Sequence, residues 1–77
     1  EGLNKKTEKI SFSLLCNDYK INSNEKDVLR LLIKGYEYKE ISLKLDISLS
    51  IVKKRINNIY KKFDVKNRIE LLNKIND

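Results

Sequence analysis

Between Leu49 and Phe63 the chain carries Ser50, Lys54, Asn57, Asn58 and Lys61. At about 100° per residue these positions share one side of a helix. Lys53 stands on one flank of the set, and Arg55 and Lys62 stand on the other. No acidic residue interrupts it. Ammonium groups neutralise phosphates, and an asparagine amide can hydrogen-bond twice to the edge of an adenine. The set is therefore suited to holding a polyanion and testing base edges. An ordinary solvated helix face is the bland alternative, and the distribution of charge along the chain weighs against it.

The 77 residues include 17 basic and 11 acidic side chains, a formal net charge of +6. Residues 1–49 contribute +1, residues 50–68 contribute +6 and residues 69–77 contribute −1. Concentrated excess of this kind is the footprint of a polyanion-binding element. Asn, Ile and Lys are abundant throughout, as AT-rich coding would produce, and that bias accounts for lysine over arginine. It does not account for the disappearance of acidic residues from one segment.

Other chemistry is poorly supplied. There is no histidine and one cysteine, so neither a disulfide within the chain nor a structural zinc site is expected. Cys16 lacks a histidine to activate it and reads as a small core residue. Asp and Glu are scattered, and no glycine-rich phosphate loop exists. An enzyme is not expected, nor is a cofactor or metal. Apolar runs are interrupted by charge, as Arg30 interrupts Val28 to Ile33, so no membrane contact is expected. No signal peptide is visible. The chain opens on Glu1 rather than Met, as a piece of a longer protein would.

The elements that must position the basic set follow from pattern. With no proline and only Gly2 and Gly35, an all-β fold lacks its turn residues, and an all-α fold is expected. A chain of this length forms one domain and buries only roughly 60% of its unfolded surface. Residues 1–6 read as a linker. Phe12, Leu15, Cys16 and Tyr19 lie on one face of an accessory helix over about 8–19, capped by Thr7. Asn22 and Glu25 form a capping box for a helix to about Lys34 that buries Val28, Leu29 and Leu32 and is closed by Gly35. Tyr38 to Leu45 is a short helix with Ile41 and Leu45 facing inward. After Asp46-Ile47-Ser48, with Ser48 as cap, Leu49 to Phe63 carries an apolar stripe of Leu49, Val52, Ile56, Ile59 and Phe63. Asn67 and Glu70 suggest a second capping box for a last helix to about Ile75, whose Leu71, Leu72 and Ile75 face the core while Ile69 points away.

Two helices joined by a three-residue turn, with small Ser42 on the first and Ile47 plugging the gap, form a helix-turn-helix. Its second helix enters the major groove. The run Ile21 to Leu29, then Gly35, Lys39-Glu40-Ile41-Ser42 and Leu45-Asp46-Ile47-Ser48, resembles LuxR-type (GerE-like) domains. Val52-Lys53, Asn58-Ile59-Tyr60, Lys62 and Val65-Lys66-Asn67-Arg68 complete the resemblance, which covers about residues 21–75. It implies a four-helix domain over 21–77, preceded by the linker and accessory helix of 1–20. It further implies double-stranded DNA binding as the output domain of a bacterial transcriptional regulator, in the cytoplasm on the nucleoid. Base contacts fall to Lys53, Lys54 and Asn57, and backbone contacts to Lys39, Ser50, Asn58, Lys61, Asn67 and Arg68. The last helix is a weak homodimer contact formed on DNA, with Ile69 on it, and RNA polymerase is a further partner.

The chain departs from the family pattern in three places. A threonine usual before Val52 is Ile51, which removes a phosphate-binding hydroxyl. A frequent histidine is Arg55. The glycine usual after the recognition helix is Asp64, which can take the same left-handed turn at some cost. Two other readings remain. A sigma-factor region 4 module would suit Val52-Lys53-Lys54-Arg55 but not the block from Val65 to Leu71. A protein-docking helical module would show an apolar groove in place of a cationic face.

Overall fold

The computed structural model describes residues 12–76, and the expected Thr7 cap and first turn of the accessory helix lie outside that range. The described residues form α1 (12–18), α2 (Ser23–Ile33), α3 (Tyr38–Leu45), α4 (Leu49–Phe63) and α5 (Arg68–Asn76), with no strand among them. The bounds of α3 and α4 are those expected from the sequence. α1 stops at residue 18, one residue earlier than the apolar pattern suggested, and Tyr19 opens the turn.

Four helices end in the same way. Lys20, Gly35, Asp46 and Asp64 follow α1 to α4 and all have positive φ, between 54° and 97°. In each case the next residue donates its N–H back across the turn: Ile21 to Cys16, Tyr36 to Leu31, Ile47 to Ser42 and Val65 to Tyr60. These are Schellman closures, which satisfy carbonyls that a helix end leaves without partners. The residue that closes each turn is apolar or aromatic, and all four belong to or pack against the core. Each exit thus stops a helix and anchors the chain for the next one. Only Gly35 adopts the left-handed conformation without steric cost.

The starts are capped by side chains. Asn22 Oδ1 accepts the Glu25 N–H at 2.8 Å, and Glu25 Oε1 accepts the Asn22 N–H at 3.2 Å, which completes the expected box. Ser48 Oγ accepts the Ile51 N–H at 3.2 Å and opens α4. At α5 the box is shifted. Asn67 Oδ1 accepts the Glu70 N–H at 2.9 Å, but the Glu70 carboxylate takes the Lys66 N–H at 2.8 Å, not that of Asn67.

α4 is central, packing against α2, α3 and α5. Val52, Ile56, Ile59 and Phe63 are buried along its inner side and meet Val28, Leu29 and Leu32 of α2, Ile41 of α3 and Leu71 of α5 in one cluster. The Phe63 ring stacks on Tyr19 with centroids 4.2 Å apart, tying the turn after α1 to the end of α4. Leu49, expected on the buried stripe, is 38% exposed. It is the first residue of α4, where the stripe has run past the buried layer that begins at Val52.

Candidate nucleic-acid interface

The connection from α3 to α4 is held at three points. Asp46 takes the left-handed conformation. The Ser42 hydroxyl donates to the Ile47 carbonyl at 2.6 Å, and the Ile47 side chain packs on the core. Ser48 then caps α4. Ser42 was expected to serve by being small, but its hydroxyl also closes the turn, a role that residue size alone does not reveal. The three fixings set the direction in which α4 leaves α3. Its first turn has no acidic residue, so the positive end of the helix dipole stays uncompensated on that side.

Opposite the buried stripe, Ser50, Lys53, Lys54, Asn57 and Lys61 are exposed, while Asn58 and Arg55 are half-buried. Among the described residues, Lys53, Lys54 and Lys61 make no ion pair. Ile51, Lys54, Arg55 and Asn58 share a shallow concavity of about 300 Å³ with the Asn22–Glu25 start of α2. Six of the nine contact residues expected from the sequence therefore lie on one helix. Lys39 is exposed in the first turn of α3, and Asn67 is exposed at the start of α5 with its carbonyl oxygen engaged as a cap.

Two cations near this face are committed elsewhere. Lys62 Nζ lies 2.6 Å from Glu25 Oε1 and donates to the Lys20 carbonyl at 2.9 Å. Glu25 is only 4% exposed, so its charge is buried with two donors pointed at it: the backbone N–H of Asn22 and the Lys62 ammonium, which also holds the α1 exit. Removing Lys62 would leave a buried carboxylate without its cation, a far costlier change than losing a surface pair. Arg68 turns inward as well. Its guanidinium donates to the carbonyls of Leu32, at 2.9 Å, and Tyr36, the last turn and exit of α2. A cation at a helix C-terminus is favoured by the dipole, and here it fixes the start of α5 against α2.

Below the face, the Tyr60 and Tyr38 hydroxyls lie 3.4 Å apart and join α4 to α3. Burial, and then the bond to Tyr38, push the Tyr60 phenol well above its ordinary range, so it remains a neutral hydrogen-bonding group. Burial also pushes the Cys16 thiol up, against weaker opposing fields from Lys26 and Arg30. A thiol held protonated in this way is a packing group.

Sequence reasoning missed the ion pair between Glu25 and Lys62 and the second function of Ser42. The capping box marked Glu25 as a helix start, but nothing local to it indicates a partner 37 positions along the chain. Metal-ligating clusters of His, Cys, Asp and Glu are absent among the described residues, and no helix among them is long and apolar enough to cross a membrane.

Comparison with known proteins gives a consistent result. Residues 21–75 match the model of the luxR family of bacterial regulatory proteins, also called GerE. A probable transcriptional regulator of Cyanophora paradoxa is 39% identical over 70 residues, which cover 87% of this chain and 33% of that protein. A monoamine regulon transcriptional regulator of Klebsiella aerogenes is 37% identical over 54 residues, or 70% of this chain and 24% of that protein. The chain thus spans about a third or less of the length of these relatives. No solved structure matches it.

Proposed function

This chain belongs to the luxR family of bacterial regulatory proteins, and from that premise we propose that it binds double-stranded DNA sequence-specifically as the output domain of a transcriptional regulator. In this reading α4 lies in the major groove. Lys53, Lys54 and Asn57 meet base edges, while Lys39, Ser50, Asn58, Lys61 and Asn67 meet phosphates or sugars. The observation that carries it is the acid-free outer face of α4, whose lysines make no ion pair among the described residues. Arg68 takes a different part from the one its position suggests. With its guanidinium on the carbonyls of Leu32 and Tyr36, it orients the first turn of α5 so that Asn67 can face a phosphate.

Roles within α4 are separable by measurement. Asn57→Ala should cost roughly 1–3 kcal/mol on the preferred site and relax selectivity at one base pair. Lys61→Ala should weaken all duplexes about equally, because phosphates are alike in every sequence. Fluorescence anisotropy with matched and single-mismatch duplexes distinguishes the two. Uniform loss in both variants would mean that the reading face lies elsewhere.

A homodimer on DNA is the second part of the proposal. Leu71 is buried, Ile75 packs against the core, and Ile69 is 72% exposed on the outer side of α5. So small an apolar patch does not sustain a dimer in solution. On a two-site duplex the DNA holds both subunits close, and a weak contact becomes cooperative binding. Ile69→Lys should leave the melting temperature and one-site affinity unchanged and abolish cooperativity on paired sites. Titrations against one-site and two-site duplexes test this, and cooperativity surviving in the variant would move the contact off Ile69.

A further inference from the structure

We propose that Ile51 reads a thymine through its 5-methyl group, an inference that rests on the placement of α4 in the major groove. Ile51 is the third residue of α4 and 40% exposed, although it is among the most apolar side chains in the chain. Single exposed apolar residues are common and usually need no explanation. What sets Ile51 apart is its position and surroundings. Base contacts in a helix-turn-helix concentrate at the N-terminal end of the second helix, where Ile51 stands. Leu43 and Ile69, the more exposed apolar residues of α3 and α5, lie on other helices.

Three features prepare the side chain for contact. Its backbone N–H is held by Ser48 Oγ, so the first turn of α4 is fixed before anything binds. As a β-branched residue within a helix it has one strongly preferred χ1, and its methyl groups lose little freedom on docking. Lys54 and Asn58 follow it by three and seven positions on the same side of the helix, and all three line one shallow concavity with Arg55 and the start of α2. An apolar group is thus set among cations and amides that face a polyanion.

The occupant follows from what a major groove contains. Phosphate oxygens and base-edge donors and acceptors gain nothing from a hydrocarbon and lose water to it. The thymine methyl is the apolar group that the natural bases display there, and it is matched by apolar side chains. Ile51 pressed against that methyl removes two apolar surfaces from water while Lys54 and Asn58 engage polar groups beside it. The chain would then select T at a position adjoining the one read by Lys54.

The test uses a duplex selected from random sequence by the chain itself, in which each thymine is replaced singly by deoxyuridine. That exchange removes the methyl and keeps every hydrogen-bonding group. One thymine per half-site should show about a fourfold loss of affinity, the equivalent of ~0.8 kcal/mol for one buried carbon. In Ile51→Ser the same exchange should have no effect, while other thymines respond as in the parent. Thermal melting followed by circular dichroism checks that Ile51→Ser is folded, and the deoxyuridine scan of the parent stands without the variant. A parent indifferent to every replacement, a selected site lacking thymine, or equal sensitivity in both proteins overturns the assignment to Ile51 while leaving DNA binding intact. Failure to bind any duplex in a salt-dependent manner overturns the underlying reading as well.

Discussion

Phe63→Ala is expected to leave this chain largely unfolded at room temperature. Phe63 is fully buried and heads the largest side chains of the core. Its ring fills the space where the last turn of α4 meets the turn after α1, stacked on Tyr19 at 4.2 Å. Truncating a buried phenylalanine costs about 3–5 kcal/mol through lost transfer energy and the cavity left behind. Loss of the ring–ring contact adds about 0.5–1.5 kcal/mol. A single core in a domain of this size rarely supplies more than about 3–5 kcal/mol, so one substitution removes most or all of the stability. The effect also spreads. With Phe63 gone, Tyr19 has no stacking partner, and the Lys20 carbonyl that accepts from Lys62 sits on a loosened turn. Urea denaturation followed by far-ultraviolet circular dichroism, which reports helix content, gives the result directly. The midpoint should fall close to zero denaturant, whereas Asn57→Ala should hold within about 0.5 kcal/mol of the parent. A parental midpoint in Phe63→Ala would show that the end of α4 is not a keystone of the core.

Raising salt from 50 to 200 mM, about a fourfold change, should weaken DNA binding roughly a hundredfold per subunit. The magnitude comes from counting phosphate contacts. About four phosphates neutralised per subunit give a slope of about −3 to −4 in log K against log salt, and a dimer doubles it. Lys62 and Arg68 add little to that count because Glu25 and the α2 carbonyls already hold them. The exposed lysines Lys39 and Lys61 neutralise phosphates directly, and Lys53 and Lys54, although they reach base edges, add their charge to the same groove. A helical module that docks on another protein through an apolar surface would respond only weakly to the same series. Fluorescence anisotropy with one labelled duplex across five salt concentrations, about half a decade apart in total, decides between them, and a slope near zero ends the DNA-binding reading.

Much of this architecture could be read directly from the chain, because its signals are local. The bounds of α3 and α4, the Asn22–Glu25 box, the Ser48 cap and the exit at Gly35 depend on residues within about four positions of one another, as helix starts and stops do. The outer face of α4 was legible for the same reason, since one helical period places its residues. Interactions across the fold were not legible. Lys62 looked like part of the basic face, and its distance from Glu25 in the chain hides their ion pair. Arg68 matched a family position for backbone contact, yet its guanidinium lies on carbonyls of α2. Leu49 satisfied the apolar spacing but falls at the rim of the core, because periodicity gives the direction of a side chain and not how far the neighbouring helices extend. At α5 the spacing of Asn67 and Glu70 identified the cap correctly but not which N–H the carboxylate would take, a choice between adjacent donors that turn geometry makes.

The division of α4 into two faces bears on how such a domain can change over generations. Val52, Ile56, Ile59 and Phe63 are all fully or almost fully buried and tie the helix to three others, so substitutions among them are filtered by folding. Lys53, Lys54 and Asn57 stand between these positions in the chain but point outward, and exchanges there fall within about 0.5 kcal/mol of neutral for stability. Under the DNA-binding reading, a lineage can therefore alter its target site by single replacements, each intermediate remaining folded, without passing through a compensating change in the core.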